Sequence, residues 1–418
     1  MGLYVLIGAV AVALRLFHLG SAPLSSAEAR EALAVWRFVM GQGASIQPVS
    51  PAWFTLTSTV FTLFGASEFW ARLWPAVAGT ALAFFPLTFR RELGRAATLI
   101  ACALLAISPV MMAASRAADG TMVAAIGLWL IAYGLSRMAD SRWLIAEGRW
   151  QEAVGRRQMA DGGWQEAGGG GAQPVIIAGI GLGMGLAAGP RFVAGVLAVA
   201  LMVIMSLLAR PAIFGQLRIA LARTRQNIGP LLLTSAISFV LFSSAALMSG
   251  GGLSAAGEAL PRWINGWRLT ADTRAPWLAA QMLLAYEPLA LMLGIGGLYS
   301  AFVSQYWRAL VSRLQRDDLL FELDPQKELK QILGAAFTGA VLYSVAYTGR
   351  EAGDAVWAVV PLAMLAGVAL AQVFSASAEM LEGDLETAAA QTGVLFVILI
   401  FAYFNLAAFA RSTSLIAV

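Results

Sequence analysis

The sequence predicts an all-α polytopic membrane protein, a bundle of about eleven transmembrane helices, and three observations carry that reading. Of 418 residues, 59% are hydrophobic and only 12% are charged, whereas a soluble chain carries roughly 25% charged residues. The apolar residues form continuous runs rather than alternating ones. Each run must satisfy its own backbone in lipid, so the runs are helices and not strands of a barrel. Glycine is abundant at 42 residues, much of it inside apolar runs such as Ala178 to Gly189, where small residues let membrane helices approach closely. Cys102 is the single cysteine and His18 the single histidine, which excludes an intrachain disulfide and a multi-histidine metal site.

In chain order, the expected spans are 3–19, 69–89, 96–114, 120–136, 174–188, 191–209, 230–249, 277–303, 331–348, 355–375 and 392–410. The first is interrupted by Arg15 and has no small-residue cleavage site, so it reads as a retained span rather than a signal peptide. The run 51–66 starts at Pro51, is rich in Thr and Ser, and is short of the roughly 20 residues a span needs. It reads as an interfacial or re-entrant helix.

Charge placement agrees. With 51–66 kept on one side, the segments 90–95, 137–173, 210–229, 305–330 and 376–391 share a side and hold 17 Lys and Arg; the opposite side holds ten. The richer side is expected to be cytoplasmic. That puts the N-terminus inside and the C-terminus outside a cytoplasmic membrane. The expected organisation is a single transmembrane domain over 1–418, with outward loops at 20–68 and 250–276, a flexible inward loop at 137–173, and no soluble C-terminal domain. The inward loop repeats WQEA at Trp150 and Trp164 and runs into GGGG, a composition suited to the headgroup surface.

The order of features in the first third carries a family resemblance. An outward loop opens with PLSSAEAREALAVW, followed by the Pro51 helix, LFGASEFWARLWPAVAGT, RRELGR and ISPVMMAASRAADGTM. Later come PRWINGW, APWLAAQMLLAYEPL, VLYSVAY and VWAVVPLAMLAG. This order resembles the GT-C superfamily of membrane glycosyltransferases, including protein O-mannosyltransferase-like and aminoarabinose-transferase-like members. It looks closest to a prokaryotic dolichyl-phosphate-mannose–protein mannosyltransferase-like group. The resemblance covers most of residues 3–375. It implies a GT-C bundle in a prokaryotic membrane that transfers a sugar from a polyprenyl-phosphate carrier on the outer face. The partners it implies are membrane lipids and the carrier, with no nucleic acid. The donor would be the polyprenyl-phosphate sugar; metal dependence stays open.

Such chemistry needs a carboxylate to take the acceptor's proton, cations around the leaving phosphate and an apolar groove for the tail. Glu28 and Asp119 are the candidate catalytic acids. Glu28 matches the second member of an acid pair whose first member is Ala27 here. It also completes an S-x-x-E capping box with Ser25. Asp119 follows Ser115-Arg116 in the second outward turn and can equally cap the span that follows. Arg116 and Arg191 are candidate phosphate ligands; Arg191 stands where related enzymes often have Lys, and a snorkelling cation at a helix end is the structural alternative. Arg262, Trp263, Trp267 and Arg268 could meet phosphate and sugar or serve as interfacial anchors. Glu287 is an acid deep within a span, a functional suspect by default, followed by the kinking Pro288. Arg350 is the cation nearest Asp354, which stands where related sequences tend to have Lys. The missing first acid, the altered turn at Ala118 and Gly120 and the missing Lys favour an alternative: a catalytically silent GT-C scaffold within a larger membrane complex.

Overall fold

Apolar runs of 13 to 25 residues punctuated by Pro, Gly and Ser give a chain of helices and breaks, and the computed structural model has that form. It describes residues 2–42, 48–139, 173–211, 213–245, 247–248, 250–269, 274–299 and 327–380. The helices are α1 (Gly2–Leu16), α2 (Ser26–Val39), α3 (Pro51–Phe64), α4 (Glu68–Leu82), α5 (Arg95–Ile107), α6 (Pro109–Ser115), α7 (Thr121–Ala139), α8 (Gln173–Ala187), α9 (Pro190–Ala209), α10 (Ile213–Gln226), α11 (Ile228–Ser243), α12 (Gly251–Gly257), α13 (Ala259–Asn265), α14 (Leu278–Tyr286), α15 (Pro288–Tyr299), α16 (Lys327–Ala346) and α17 (Val356–Met380). The described residues contain no strand.

Ten of the eleven expected spans fall on helices, and 392–410 lies outside the described residues. Among the described residues, by length and apolarity alone, four helices can cross a membrane, or seven if each bent pair counts as one span. Joining the bent pairs raises four to seven; Gly2–Leu16 and Gln173–Ala187 are apolar but shorter, and 392–410 lies outside the described residues. Ser108-Pro109 bends α5–α6 by 56°, Asn227 bends α10–α11 by 80°, and Glu287-Pro288 bends α14–α15 by 101°. Each proline lacks the N–H that would carry the helix through.

The core forms where α5, α9, α16 and α17 meet, around Leu105, Ala198, Tyr343, Trp357 and Leu362. Glycines bring α7 and α8 together. A Cβ on Gly127 would lie 2.9 Å from the Gly181 carbonyl oxygen and 3.0 Å from Gly185 Cα, so the two backbones nearly touch.

The contacts define two ends of the bundle. At the basal end, Arg90 lies over the Tyr4 ring, Arg210 pairs with Glu328, and the α10 residue Arg223 donates to the Met138 carbonyl at the end of α7. The other end gathers the 116–120 turn, the α8–α9 turn, the start of α17 and segment 48–50. α3 lies across this end. Its Thr55 hydroxyl donates to the Phe242 carbonyl at the end of α11, its Trp53 indole donates to the Ala71 carbonyl near the start of α4, and Phe64 stacks on Trp70.

Candidate functional site

Glu28 is held by four donors. Its Oε1 accepts from Ala118 N at 2.7 Å and Arg72 Nε at 3.4 Å; its Oε2 accepts from Ser25 N at 2.8 Å and Arg72 Nη2 at 3.1 Å. Ser25 returns the bond by accepting from Glu28 N, which completes the capping box that opens α2. Burial opposes ionisation of Glu28, but the Arg72 hydrogen bond and the two backbone N–H groups outweigh it, and its pKa is lowered. A carboxylate so fully engaged is a weak base and a strong strut. It ties α2, α4 and the 116–120 turn together.

Asp119 is less encumbered. Its Oδ1 accepts from Thr121 N at 2.9 Å and its Oδ2 from the Thr121 hydroxyl at 3.0 Å, which closes a tight turn onto the first residue of α7. Burial raises its pKa, partly offset by Arg191 and by the Thr121 bonds. Arg191, in the first turn of α9, faces three carboxylates. It pairs with Glu351, lies 3.6 Å from Asp354 Oδ1, and feels the charge of Asp119. Glu351 N donates to Asp354 Oδ2 at 2.8 Å in a second capping box, which opens the short turn leading into α17. The structure thus gathers Asp119, Arg191, Glu351 and Asp354 from three separate stretches of chain. Among the described residues, no group of three or more His, Cys, Asp or Glu is arranged to hold a metal ion.

Other expected cations are committed to backbone carbonyls. Arg116 donates to Leu14, Phe17 and His18 carbonyls at the end of α1. Arg350 donates to the Ser344 and Val345 carbonyls at the end of α16 and to the Arg274 carbonyl ahead of α14. Arg72 donates to the Leu19, Ala22 and Pro23 carbonyls as well as to Glu28. Each guanidinium satisfies carbonyls that a helix end or turn leaves over. Arg262 pairs with Glu258 one turn back and reaches the Pro48 carbonyl, while Arg268 stands exposed.

The tryptophans belong to an aromatic ladder. Trp263 stacks on Tyr347 with centroids 5.8 Å apart, Tyr347 stacks on Tyr343 at 5.6 Å, and Trp267 meets Tyr347 edge-on. The Trp263 indole donates to the Tyr343 hydroxyl at 3.2 Å. The ladder joins α13 to α16, and Trp267 remains 41% exposed, enough to meet a ligand.

Glu287 stands apart from these groups. Its Oε1 accepts from the Ser108 hydroxyl and from Val110 N at 3.1 Å. It sits at the α14–α15 break and grips the α5–α6 break, so two bent spans are joined at their bends.

Of the residues singled out in the sequence, Asp119 and Arg191 come close together, Glu28 sits beside them through Ala118, and Glu287 stands elsewhere; Arg72, Glu351 and Ser108, which hold them, are not among those singled out. The E-x-x-D spacing of Glu351 and Asp354 was the available signal for one of them.

No family model and no curated protein matches the sequence. Solved structures do. ArnT from Cupriavidus metallidurans bound to undecaprenyl phosphate matches with a TM-score of 0.56 and 14% identity, over 99% of this chain and 72% of that one. Its apo form matches with a TM-score of 0.53 and 17% identity, over the same shares of the two chains. The oligosaccharyltransferase AglB from Archaeoglobus fulgidus, in complex with an inhibitory peptide and a dolichol-phosphate, matches with a TM-score of 0.52 and 16% identity. This chain is covered over 99% there but spans only 55% of AglB. With its all-helical bundle, its bent spans and these neighbours, the chain has the fold of the GT-C superfamily of membrane glycosyltransferases.

Proposed function

We propose that the chain is a GT-C-type glycosyltransferase that takes a sugar from a polyprenyl-phosphate carrier at the end of the bundle where Asp119 and Arg191 meet. The observation that carries this reading is a carboxylate engaged, among the described residues, only by Thr121, close enough to the Arg191 guanidinium to feel its charge, at one end of a GT-C bundle. The fold's solved neighbours were captured with undecaprenyl phosphate and dolichol-phosphate, each a phosphate on a long apolar chain.

Asp119 is the group that takes the proton from the attacking acceptor, and its raised pKa makes it a better base than an ordinary aspartate. Arg191 is the cation that meets the charge gathering on the departing phosphate. Glu351 and Asp354 hold Arg191 in place, and the carrier phosphate competes with them for it. Glu28 is a positioning residue: it fixes the Ala118 backbone, one residue from Asp119. The basal end collects Arg90, Arg91, Arg95, Arg210, Arg218, Arg223 and Arg225, which supports a cytoplasmic basal end, an outward site and an inside N-terminus in a prokaryotic cytoplasmic membrane.

Asp119→Asn is the decisive substitution. Asn keeps an oxygen that can accept from Thr121 N and forms the same local turn, while the base is lost. Transfer by purified protein, assayed with a range of polyprenyl-phosphate sugars and a lipid-extract acceptor, should fall by roughly 10²–10⁴. A second reading, a catalytically silent scaffold subunit, is favoured by the saturation of Glu28 and by the commitment of Arg116 and Arg350 to carbonyls. It replaces the first if wild-type protein neither binds carrier nor turns over and copurifies with stoichiometric membrane partners.

A further inference from the structure

The segment from Arg210 to Gln226 carries four arginines, and no Asp or Glu occurs between 210 and 257. Two of the four serve the bundle: Arg210 pairs with Glu328 and Gln331, and Arg223 donates to the Met138 carbonyl. Arg218 and Arg225 stand exposed.

The geometry of α10 sorts these roles. Its inner face, with Ala220 buried and the Thr224 hydroxyl 3.7 Å from Met138 Sδ, rests on the end of α7. The helix turns 80° away from α11 at Asn227. α11 runs along the bundle toward the site end, so α10 lies across the basal end, in the plane a membrane surface would occupy. Phe214, Arg218, Leu221 and Arg225 recur at i, i+4, i+7 and i+11, which places them within roughly 60° of arc at 3.6 residues per turn. Phe214 is 59% exposed and Leu221 54%.

We propose that α10 is an in-plane interfacial helix that binds the anionic headgroups of membrane lipids through Arg218 and Arg225. The alternation along the stripe selects the partner. Two guanidiniums match phosphodiester anions, and the apolar side chains between them need the acyl boundary just beneath. A soluble polyanion would meet the arginines but leave Phe214 and Leu221 in water. The binding is independent of sugar transfer and stands whether or not the chain is an enzyme.

The test uses full-length protein in neutral detergent, titrated with phosphatidylglycerol or phosphatidylcholine and followed by thermal unfolding. Phosphatidylglycerol should raise the melting temperature of wild type, and phosphatidylcholine should not. The R218Q/R225Q variant should melt like wild type in phosphatidylcholine but need roughly 30-fold more phosphatidylglycerol for the same rise, from about 1 kcal/mol per surface arginine. Leu221→Glu, which places an acid between the two arginines, should weaken the response as well, whereas Arg30→Gln at the opposite end should leave it intact. An equal response from wild type and R218Q/R225Q overturns the proposal. So does an equal loss from Arg30→Gln, or a matching rise with water-soluble glycerol 3-phosphate, which would make this a phosphate site without a membrane.

Discussion

Replacing Glu28 by Gln should unfold the site end more readily rather than merely silence it. The amide keeps the shape of the carboxylate but turns one of its two oxygens into a donor. Each oxygen accepts from one backbone N–H and one Arg72 nitrogen, so either orientation aims the new NH2 at two other donors. The Glu28 and Arg72 side chains are only 14% and 7% exposed, which leaves little water to make up the loss. Breaking a buried pair by removing one partner costs about 3–5 kcal/mol. Because Arg72 keeps its three carbonyls, we expect the lower end, about 3 kcal/mol. The assay is equilibrium unfolding in mixed micelles of wild type, Glu28→Gln, Arg72→Gln and the double variant. The cycle should return a coupling of roughly 1–3 kcal/mol. pH gives a second readout. The lowered pKa of Glu28 means that its contribution is complete above the unfolded value of about 4.3 and is lost as pH falls through the folded one. In Glu28→Gln that acid-labile component should vanish. If Glu28→Gln unfolds like wild type yet abolishes transfer, Glu28 is the base and the assignment of Asp119 is wrong.

Other expectations follow from the same geometry. If Asp119 is the base, transfer should decline as pH drops through its raised pKa, so the acid limb of the rate profile should lie above the ordinary aspartate value of about 3.9; a limb at or below that value excludes it. Gly181→Val should destabilise by about 1–3 kcal/mol, since even a Cβ there would lie 2.6 Å from the Gly127 carbonyl oxygen; an unchanged unfolding curve would mean that α7 and α8 are not so close. Glu287→Leu should cost about 1–3 kcal/mol by stranding Val110 N, while Glu287→Gln, which retains an acceptor, should cost less; equal losses would remove Glu287 as the link between the two bends. In a Cys102→Ser background, a cysteine at Gln226 should resist impermeant reagents in intact cells and one at Arg268 should react, and the reverse pattern would invert the orientation.

The helices were largely legible because lipid imposes long apolar runs, and Pro and Gly mark where those runs end. What could not be read was how the runs divide. Glu287-Pro288 announces a kink, but only the packed bundle sets it against Ser108 on another bent span. The Ser25–Glu28 capping box was legible because both partners lie within one turn. Arg72, 44 residues further on, carried no local sign that it would close the same carboxylate. Arg191 was visible as a cation at a helix start, while its three acidic neighbours come from two distant turns. Contacts local in sequence leave patterns; those made by folding across the bundle leave only a residue type that is costly to bury.

Arg15 bears on how the chain is built during synthesis. It is fully buried in α1, where it donates to the Ala106 carbonyl at 2.9 Å and the Leu105 carbonyl at 3.1 Å, at the end of α5. Those carbonyls lie 90 and 91 residues downstream of Arg15. At about 5–20 residues per second, α1 waits roughly 5–18 s for its partner, carrying a cation that costs an isolated span up to about 3 kcal/mol. During that interval α1 is held only weakly in lipid. The arrival of α5 supplies the carbonyls that complete the partners of the Arg15 guanidinium.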